Sequence, residues 1–250
     1  RPFLLNLLPE LPFTDHFIPW QHRRRRLLML QSALWFLERN RGHKNGFAML
    51  QGWLASGALA PSDVHVVEPA DALRARAASL GVNAVSAASE VSAVPGLVIL
   101  AVKPQVMGEV LPSYVGYARS GAAFLSIAAG IGTRFMSERL GEDTPVIRCM
   151  PNTPAAIGKG MLVYWKNAHV SAGCEDFVTT LLTASGRVAR VEDEALIDAV
   201  TAVSGSGPAY VFHFIECLTD AGIAAGLPKE IAAELAMQTS PTAHPASSTH

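Results

Sequence analysis

Residues 196–227 read LIDAVTAVSGSGPAYVFHFIECLTDAGIAAGL, and little else in the chain is patterned as strongly. Leu196, Val200 and Val203 recur at intervals of three to four residues, which places them on one helical face. Ser204, Gly205, Ser206 and Gly207 interrupt that period. Pro208 suits the first turn of a helix, because its fixed φ is already helical and its missing N–H has no partner there, so a second helix is expected from Pro208. Along it Val211, Phe214, Ile215, Leu218, Gly222 and Ala225 form one broad apolar face that needs a cover. Gly226 and Pro228 end this helix and open another, expected to run through Met237. Periodicity alone describes a helical hairpin and does not argue for catalysis.

Working outward toward the N-terminus, the pattern changes. GFAMLQGWLASG at 46–57 puts Phe47, Leu50, Trp53 and Leu54 on one face and closes on Gly57, a helix with a glycine terminator. VHVVEP at 64–69 is a short β-branched strand, ADALRARAASLG at 70–81 a helix, and GLVILAVKP at 96–104 and AAFLSIAAGI at 122–131 contain continuous apolar strands. Strands without polar alternation are buried on both faces, and their alternation with helices indicates βαβ units and a parallel sheet. Strand signals fade after about Val163, so a domain boundary is expected between Met161 and Ser171: an α/β domain over 46–165 and a helical one over 166–250. Residues 1–45 share neither period. Pro2, Pro9, Pro12 and Pro19 break any amphipathic helix, and Arg23, Arg24, Arg25 and Arg26 precede the apolar LLML. Glu10 and Asp15 interrupt a targeting signal and no small-residue cleavage site follows, so a disordered or non-native leader is expected.

Bulk properties narrow the function classes. Half of the 250 residues are hydrophobic, enough for the core of one or two domains, and the net charge of −1 offers no basis for binding nucleic acid or an anionic membrane. Cys149, Cys174 and Cys217 are far apart, with no C-x-x-C and no paired histidines nearby, so neither a disulfide framework nor a metal site is expected and the compartment is read as cytoplasmic. No apolar run reaches the roughly 18 residues that cross a bilayer.

A parallel sheet of this kind binds ligands beyond the carboxyl ends of its strands. Glu68 ends its strand 22 residues after Gly46, close to the spacing at which an acidic residue bonds the ribose hydroxyls of a dinucleotide. Ala101, Val102, Lys103 and Pro104 end the next strand with a cation at the sheet edge, and Ala128, Ala129 and Gly130 are small enough for a ring or phosphate to approach the backbone. Met150, Asn152 and Thr153 lie on a loop bracketed by Pro151 and Pro154, rigid enough to orient a polar ring substituent.

These residues together carry a resemblance. AVKP at 101–104, SIAAGI at 126–131, RCMPNTP at 148–154 and the run DAVTAVSGSGPAYVFHFIECLTDAGIAAGLP at 198–228 resemble the pyrroline-5-carboxylate reductase family over about residues 46–239. The resemblance implies a Rossmann-like parallel-sheet domain followed by an all-helical dimerisation domain. It implies hydride transfer from NADH or NADPH to 1-pyrroline-5-carboxylate to give L-proline, and a homodimer or higher homo-oligomer. By position it makes Gly46, Glu68, Ala101, Val102, Lys103, Pro104, Ala128, Ala129, Gly130, Met150, Asn152 and Thr153 cofactor-contacting. It puts Glu194 close to the substrate, beside the turn Ser204, Gly205, Ser206 and Gly207, whose backbone N–H groups would face the substrate carboxylate. A carboxylate at Glu68 would repel a 2′-phosphate, which tilts the preference toward NADH.

Both ends depart from the family. Its glycine turn G-x-G-x-M-G corresponds to Arg41-Gly42-His43-Lys44-Asn45-Gly46, with only the last glycine in register and with ALWFLERN before it a poor strand. Its Ser-Pro-Gly-Gly-Thr-Thr turn is replaced by SPTAHPASSTH at 240–250. The helical domain is therefore expected to be truncated. The alternatives are a catalytically impaired remnant of the family and a related two-domain reductase acting on another imine or a hydroxy acid.

Overall fold

The computed structural model describes residues 27–30 and 45–242. One eight-stranded sheet runs in the order β3-β2-β1-β4-β5-β6-β7-β8. Its strands are β1 Leu27–Leu30, β2 Val64–Val67, β3 Asn83–Val85, β4 Leu97–Leu100, β5 Ala123–Ser126, β6 Val146–Met150, β7 Gly160–Lys166 and β8 Gly186–Arg190. The first six pair in parallel, β7 joins antiparallel to β6, and β8 runs parallel to β7. The first six strands take the 3-2-1-4-5-6 order of dinucleotide-binding sheets, with the crossover crevice between β1 and β4.

Side chains alternate across each strand, so two cores form on opposite faces. Leu97, Ile99 and Leu125 pack with α1 (Asn45–Ala55) and with α6 (Ala172–Thr183), and Val98, Leu100 and Phe124 pack under the crossover helices on the other side. Those crossovers include α3 (Met107–Val110), α4 (Val115–Arg119) and α5 (Thr133–Leu140), while α2 (Asp71–Ala78) joins β2 to β3. The α1 face read from the sequence is the buried one: Phe47, Leu50 and Trp53 are all below a tenth exposed, and Trp53 Nε1 donates to the Leu181 carbonyl at 2.7 Å. Trp53→Ala would empty a sealed site and remove that hydrogen bond, a loss of about 3–5 kcal/mol readable as a lower urea midpoint at unchanged slope.

Three expectations are corrected. The leader expected to be disordered contributes β1 at the centre of the sheet: Leu27–Leu30 pair with β2 on one side and β4 on the other. Four residues carry too short a pattern to read alone, and parallel neighbours on both sides are what make them a strand. Second, strands do not fade after Val163, because β7 and β8 carry the sheet to Arg190, past the break expected between Met161 and Ser171. GRVAR lies at the sheet margin with half-exposed side chains, so its sequence lacks the apolar run of a central strand.

The third correction concerns residues 201–208. The break is narrower than expected, only Ser206: α7 (Leu196–Val200) passes into a π-helical turn at Thr201–Gly205, and α8 (Gly207–Ala224) begins one residue before Pro208. Ser206 N–H donates to the Thr201 carbonyl at 2.8 Å, the i→i+5 bond that widens the turn. After Gly226, at φ +98°, α9 (Lys229–Thr242) runs five residues beyond Met237. It crosses α8 where a Cβ on Gly222 would stand 3.0 Å from the Ala232 Cβ.

Candidate active site

In a parallel sheet all strands end on one edge, and the observed register brings the expected residues there. Glu68 follows β2, Ala101 to Pro104 follow β4, Ala128 to Gly130 follow β5, and Met150, Asn152 and Thr153 end β6 and begin its loop. β7 enters from the same edge because it runs antiparallel to β6. Gly46 is buried in the first turn of α1, and residues 41–44 of the expected glycine turn lie outside the described residues.

Glu68 is the most informative of these. Its side chain is 2% exposed, Oε1 accepts the Ala70 N–H at 2.9 Å, and Oε2 is buried without a hydrogen-bond partner among the described residues. Burial pushes its carboxyl above the ordinary range, against the lowering effects of the Ala70 N–H and of Arg74. An unpartnered buried acceptor at the end of β2 fits a ligand hydroxyl that donates to it. Arg74 is not aimed at a phosphate here: it donates to the Glu68 and Pro69 carbonyls at 3.0 Å and pairs with Asp71. The raised pKa has a stability consequence. The folded state holds the Glu68 proton more tightly than the unfolded one, so this group's contribution is present below the unfolded pKa and lost as pH rises through the folded pKa. Glu68→Gln is expected to raise the melting midpoint of the ligand-free chain near pH 7 and to change it little near pH 4. Scans at the two pH values read the difference directly.

At β6 the structure joins two sequence-distant segments. Asn152 Oδ1 accepts the Met161 N–H at 2.9 Å, and its Nδ2 lies 3.5 Å from Ser204 Oγ. A Cβ added to Gly205 would lie 3.5 Å from Met150 Sδ, so the π turn passes close to the end of β6. Ser204 and Gly205 therefore lie beside Asn152 and Met150. Val102 and Ala128 are buried, Ala129 and Gly130 are exposed, and Gly130 takes a φ of +72°.

Glu194 has other partners. Its Oε1 accepts the Thr133 N–H at 2.7 Å and its Oε2 accepts the Thr133 hydroxyl at 2.5 Å, so it caps α5. Arg148 Nη1 approaches Oε1 at 3.4 Å, and Arg148 Nη2 donates to Asp198 Oδ1 at 2.8 Å. Thr133, Arg148 and Asp198 were not singled out from the sequence. The available signal was an arginine inside an otherwise apolar strand, VIRCM.

Among the described residues no group of histidine, cysteine and acidic side chains could hold a metal, and no helix is long and apolar enough to cross a membrane. All three cysteines are free thiols, and burial pushes the Cys174 thiol up to about 12 and that of Cys149 higher still.

The comparison with known proteins decides the family. The pyrroline-5-carboxylate reductase of Pseudomonas aeruginosa is 39% identical over 199 residues, covering 79% of this chain and 73% of that protein. The chain belongs to the pyrroline-5-carboxylate reductase family. A reductase of the family from Arabidopsis thaliana is 38% identical across 77% of this chain and 69% of its own length. The pyrroline-5-carboxylate reductase dimerisation family matches residues 194–246, and the family described as NADP oxidoreductase coenzyme F420-dependent matches residues 44–130. Among solved structures, the family's reductase from Coxiella burnetii superposes with a TM-score of 0.76 at 27% identity, covering 88% of this chain and 78% of that one. The Plasmodium falciparum pyrroline carboxylate reductase, solved with NADP bound, gives 0.72 at 27% identity over 87% and 76%. These likenesses agree with the fold: a Rossmann-like parallel sheet followed by helices.

Proposed function

We propose that this chain reduces 1-pyrroline-5-carboxylate to L-proline with NADH or NADPH, the last step of proline biosynthesis. The observation that carries the reading is the approach of Ser204 and Gly205 to Asn152 and Met150 at the carboxyl edge of a 3-2-1-4-5-6 sheet, in a chain that 39% identity ties to this family. When bound, the nicotinamide cofactor supplies the hydride. Glu68 would hold the adenosine ribose through its unpartnered Oε2. Ala101, Val102, Lys103 and Pro104, with Ala128, Ala129 and Gly130, would line the cofactor's path along the strand ends. Asn152, fixed by the Met161 N–H, would orient the nicotinamide beside Met150 and Thr153. The π turn would present Ser204, Gly205, Ser206 and Gly207 to the substrate. An iminium already carries its proton, so these residues act by placing the acceptor carbon within attack distance and excluding water.

Loss of absorbance at 340 nm with pyrroline-5-carboxylate, alongside detection of L-proline, tests the reading on the purified 250-residue chain. Turnover of other imines or of hydroxy acids, with none of pyrroline-5-carboxylate, would overturn it in favour of a related reductase. Glu68 supports NADH as the better cofactor, since a 2′-phosphate would meet a buried carboxylate. Glu68→Gln should therefore narrow the NADH-to-NADPH affinity ratio by about tenfold, as fluorescence titration would show.

We put the domain boundary between Arg190, the end of the last strand, and Glu194. The helical region would be the assembly surface of a homodimer. Tyr210, Phe212 and Phe214 are each more than half exposed on α8, an apolar face that a second chain could cover. Phe212→Glu combined with Phe214→Glu should shift the sedimentation mass from two chains to one. The free thiols suit a reducing cytoplasm.

A further inference from the structure

Arg148 places a charge inside an otherwise apolar strand. It stands on β6 with its side chain 6% exposed, between the apolar Ile147 and Cys149, and its Nε is buried without an acceptor among the described residues. A buried ion pair is seldom worth more to stability than apolar packing of the same volume, and an orphaned N–H lowers its worth further. Stability alone does not account for this arginine.

Its partners do. Nη2 donates to Asp198 in α7 at 2.8 Å, and Nη1 reaches Glu194 just before that helix at 3.4 Å. Glu194 in turn caps Thr133 at the start of α5, so one guanidinium ties the loop after β5 and helix α7 to β6. α7 runs without a break into the π turn, where Thr201 Oγ1 donates to the Ile197 carbonyl and Ser206 N–H to the Thr201 carbonyl, both at 2.8 Å. The same strand ends two residues later at Met150, against Gly205. β6 thus grips the helix at one end through Arg148 and abuts the turn at the other through Met150.

We infer that Arg148, through Asp198 and Glu194, is a positioning residue that sets the height and tilt of the 204–207 turn over the end of β6, and with it the placement of the substrate. The inference rests on the proposed reduction of pyrroline-5-carboxylate for its kinetic consequence but not for its structural one. Arg148 bonds to Asp198 and Glu194. It acts through the helix that carries the turn, and misplacement of a bound reactant by a fraction of an ångström to an ångström is enough to slow its reaction severely.

The test uses the full 250-residue chain with Arg148→Met, Arg148→Lys and Asp198→Asn. Three quantities are read: kcat/KM for pyrroline-5-carboxylate, cofactor Kd by fluorescence, and hydrogen exchange of amides 196–206 without ligands. Arg148→Met should lower kcat/KM by about ten- to a hundredfold while cofactor Kd moves by less than about twofold, because β2 and β4, whose ends would hold the ribose and the first stretch of the cofactor, do not pair with β6. Exchange over 196–206 should quicken while that of β4 and β5 stays unchanged. Arg148→Lys, which keeps one charged donor, should recover part of both losses. Wild-type kcat/KM and exchange in a folded Arg148→Met chain would overturn the inference, as would a kcat/KM loss matched by the loss in cofactor affinity. Should Arg148→Met fail to fold, Asp198→Asn decides, since the Asp198 side chain is 75% exposed and its loss leaves the core intact. Slower turnover and faster exchange in that variant support the inference, and no change in either overturns it. A wild-type chain that does not turn over pyrroline-5-carboxylate sinks the functional reading instead, and the exchange data still decide the positioning role.

Discussion

Gly186→Val is expected to lower the melting midpoint by at least about 6–12 °C, the equivalent of about 3 kcal/mol in a domain of this size. Gly186 opens β8 with φ at +146°, where an L side chain is strained, and a Cβ there would lie 2.1 Å from the Gly160 carbonyl oxygen and 2.5 Å from its nitrogen. Those atoms belong to the backbone and cannot swing aside. Gly160 also donates its N–H to the Ser185 carbonyl at 3.0 Å, and a Cβ on Gly160 would meet that of Ala155 at 2.6 Å, so the partner strand has no room to retreat. The variant must separate β7 from β8 at the first pair of their register. Calorimetry on the purified variant measures this, and a drop smaller than about 2 °C would mean that the two strands part at little cost.

Ser206→Tyr should leave the fold standing and remove activity. Ser206 sits at φ −88° and ψ −19°, a conformation open to any residue, its side chain is half-exposed, and its backbone contacts survive the change. The melting midpoint should move by no more than about 2 °C, as for a substitution away from the core. A phenol at the mouth of the 204–207 turn would occupy the space assigned to the substrate, so kcat/KM for pyrroline-5-carboxylate should fall by about a hundredfold or more at unchanged cofactor affinity. Turnover equal to wild type would falsify the placement of this turn at the substrate.

The two variants divide what was legible in the sequence from what was not. The 204–207 turn could be placed beside a substrate because its residues match a family over a long run. The contact between Gly160 and Gly186 could not be read, because two glycines 26 residues apart carry no sign that their backbones meet. The same holds for the network at Arg148. Its partners Glu194 and Asp198 lie 46 and 50 residues away, and Thr133 reaches Glu194 across 61. Glu194 was singled out from the family's pattern as lying close to the substrate, yet its carboxylate is engaged by the start of α5, a duty that only the folded chain reveals.

The sequence by itself determined strands β4 and β5 and the long helix α8. LVIL, AFLS and the apolar part of VIRCM have no polar alternation because both faces of their strands are covered, and the 3.6-residue period of α8 is long enough to outweigh chance. The acidic residue closing β2 and the small residues closing β4 and β5 were legible as a binding edge, because in a parallel sheet the chain direction alone puts those ends together. The tertiary structure alone decided the rest. LLML became an interior strand through neighbours distant in sequence, GRVAR became a strand by pairing with β7, and Thr201–Gly205 took up a π turn close to Met150. Each of these outcomes depends on contacts between residues far apart along the chain, and a local pattern carries no record of them.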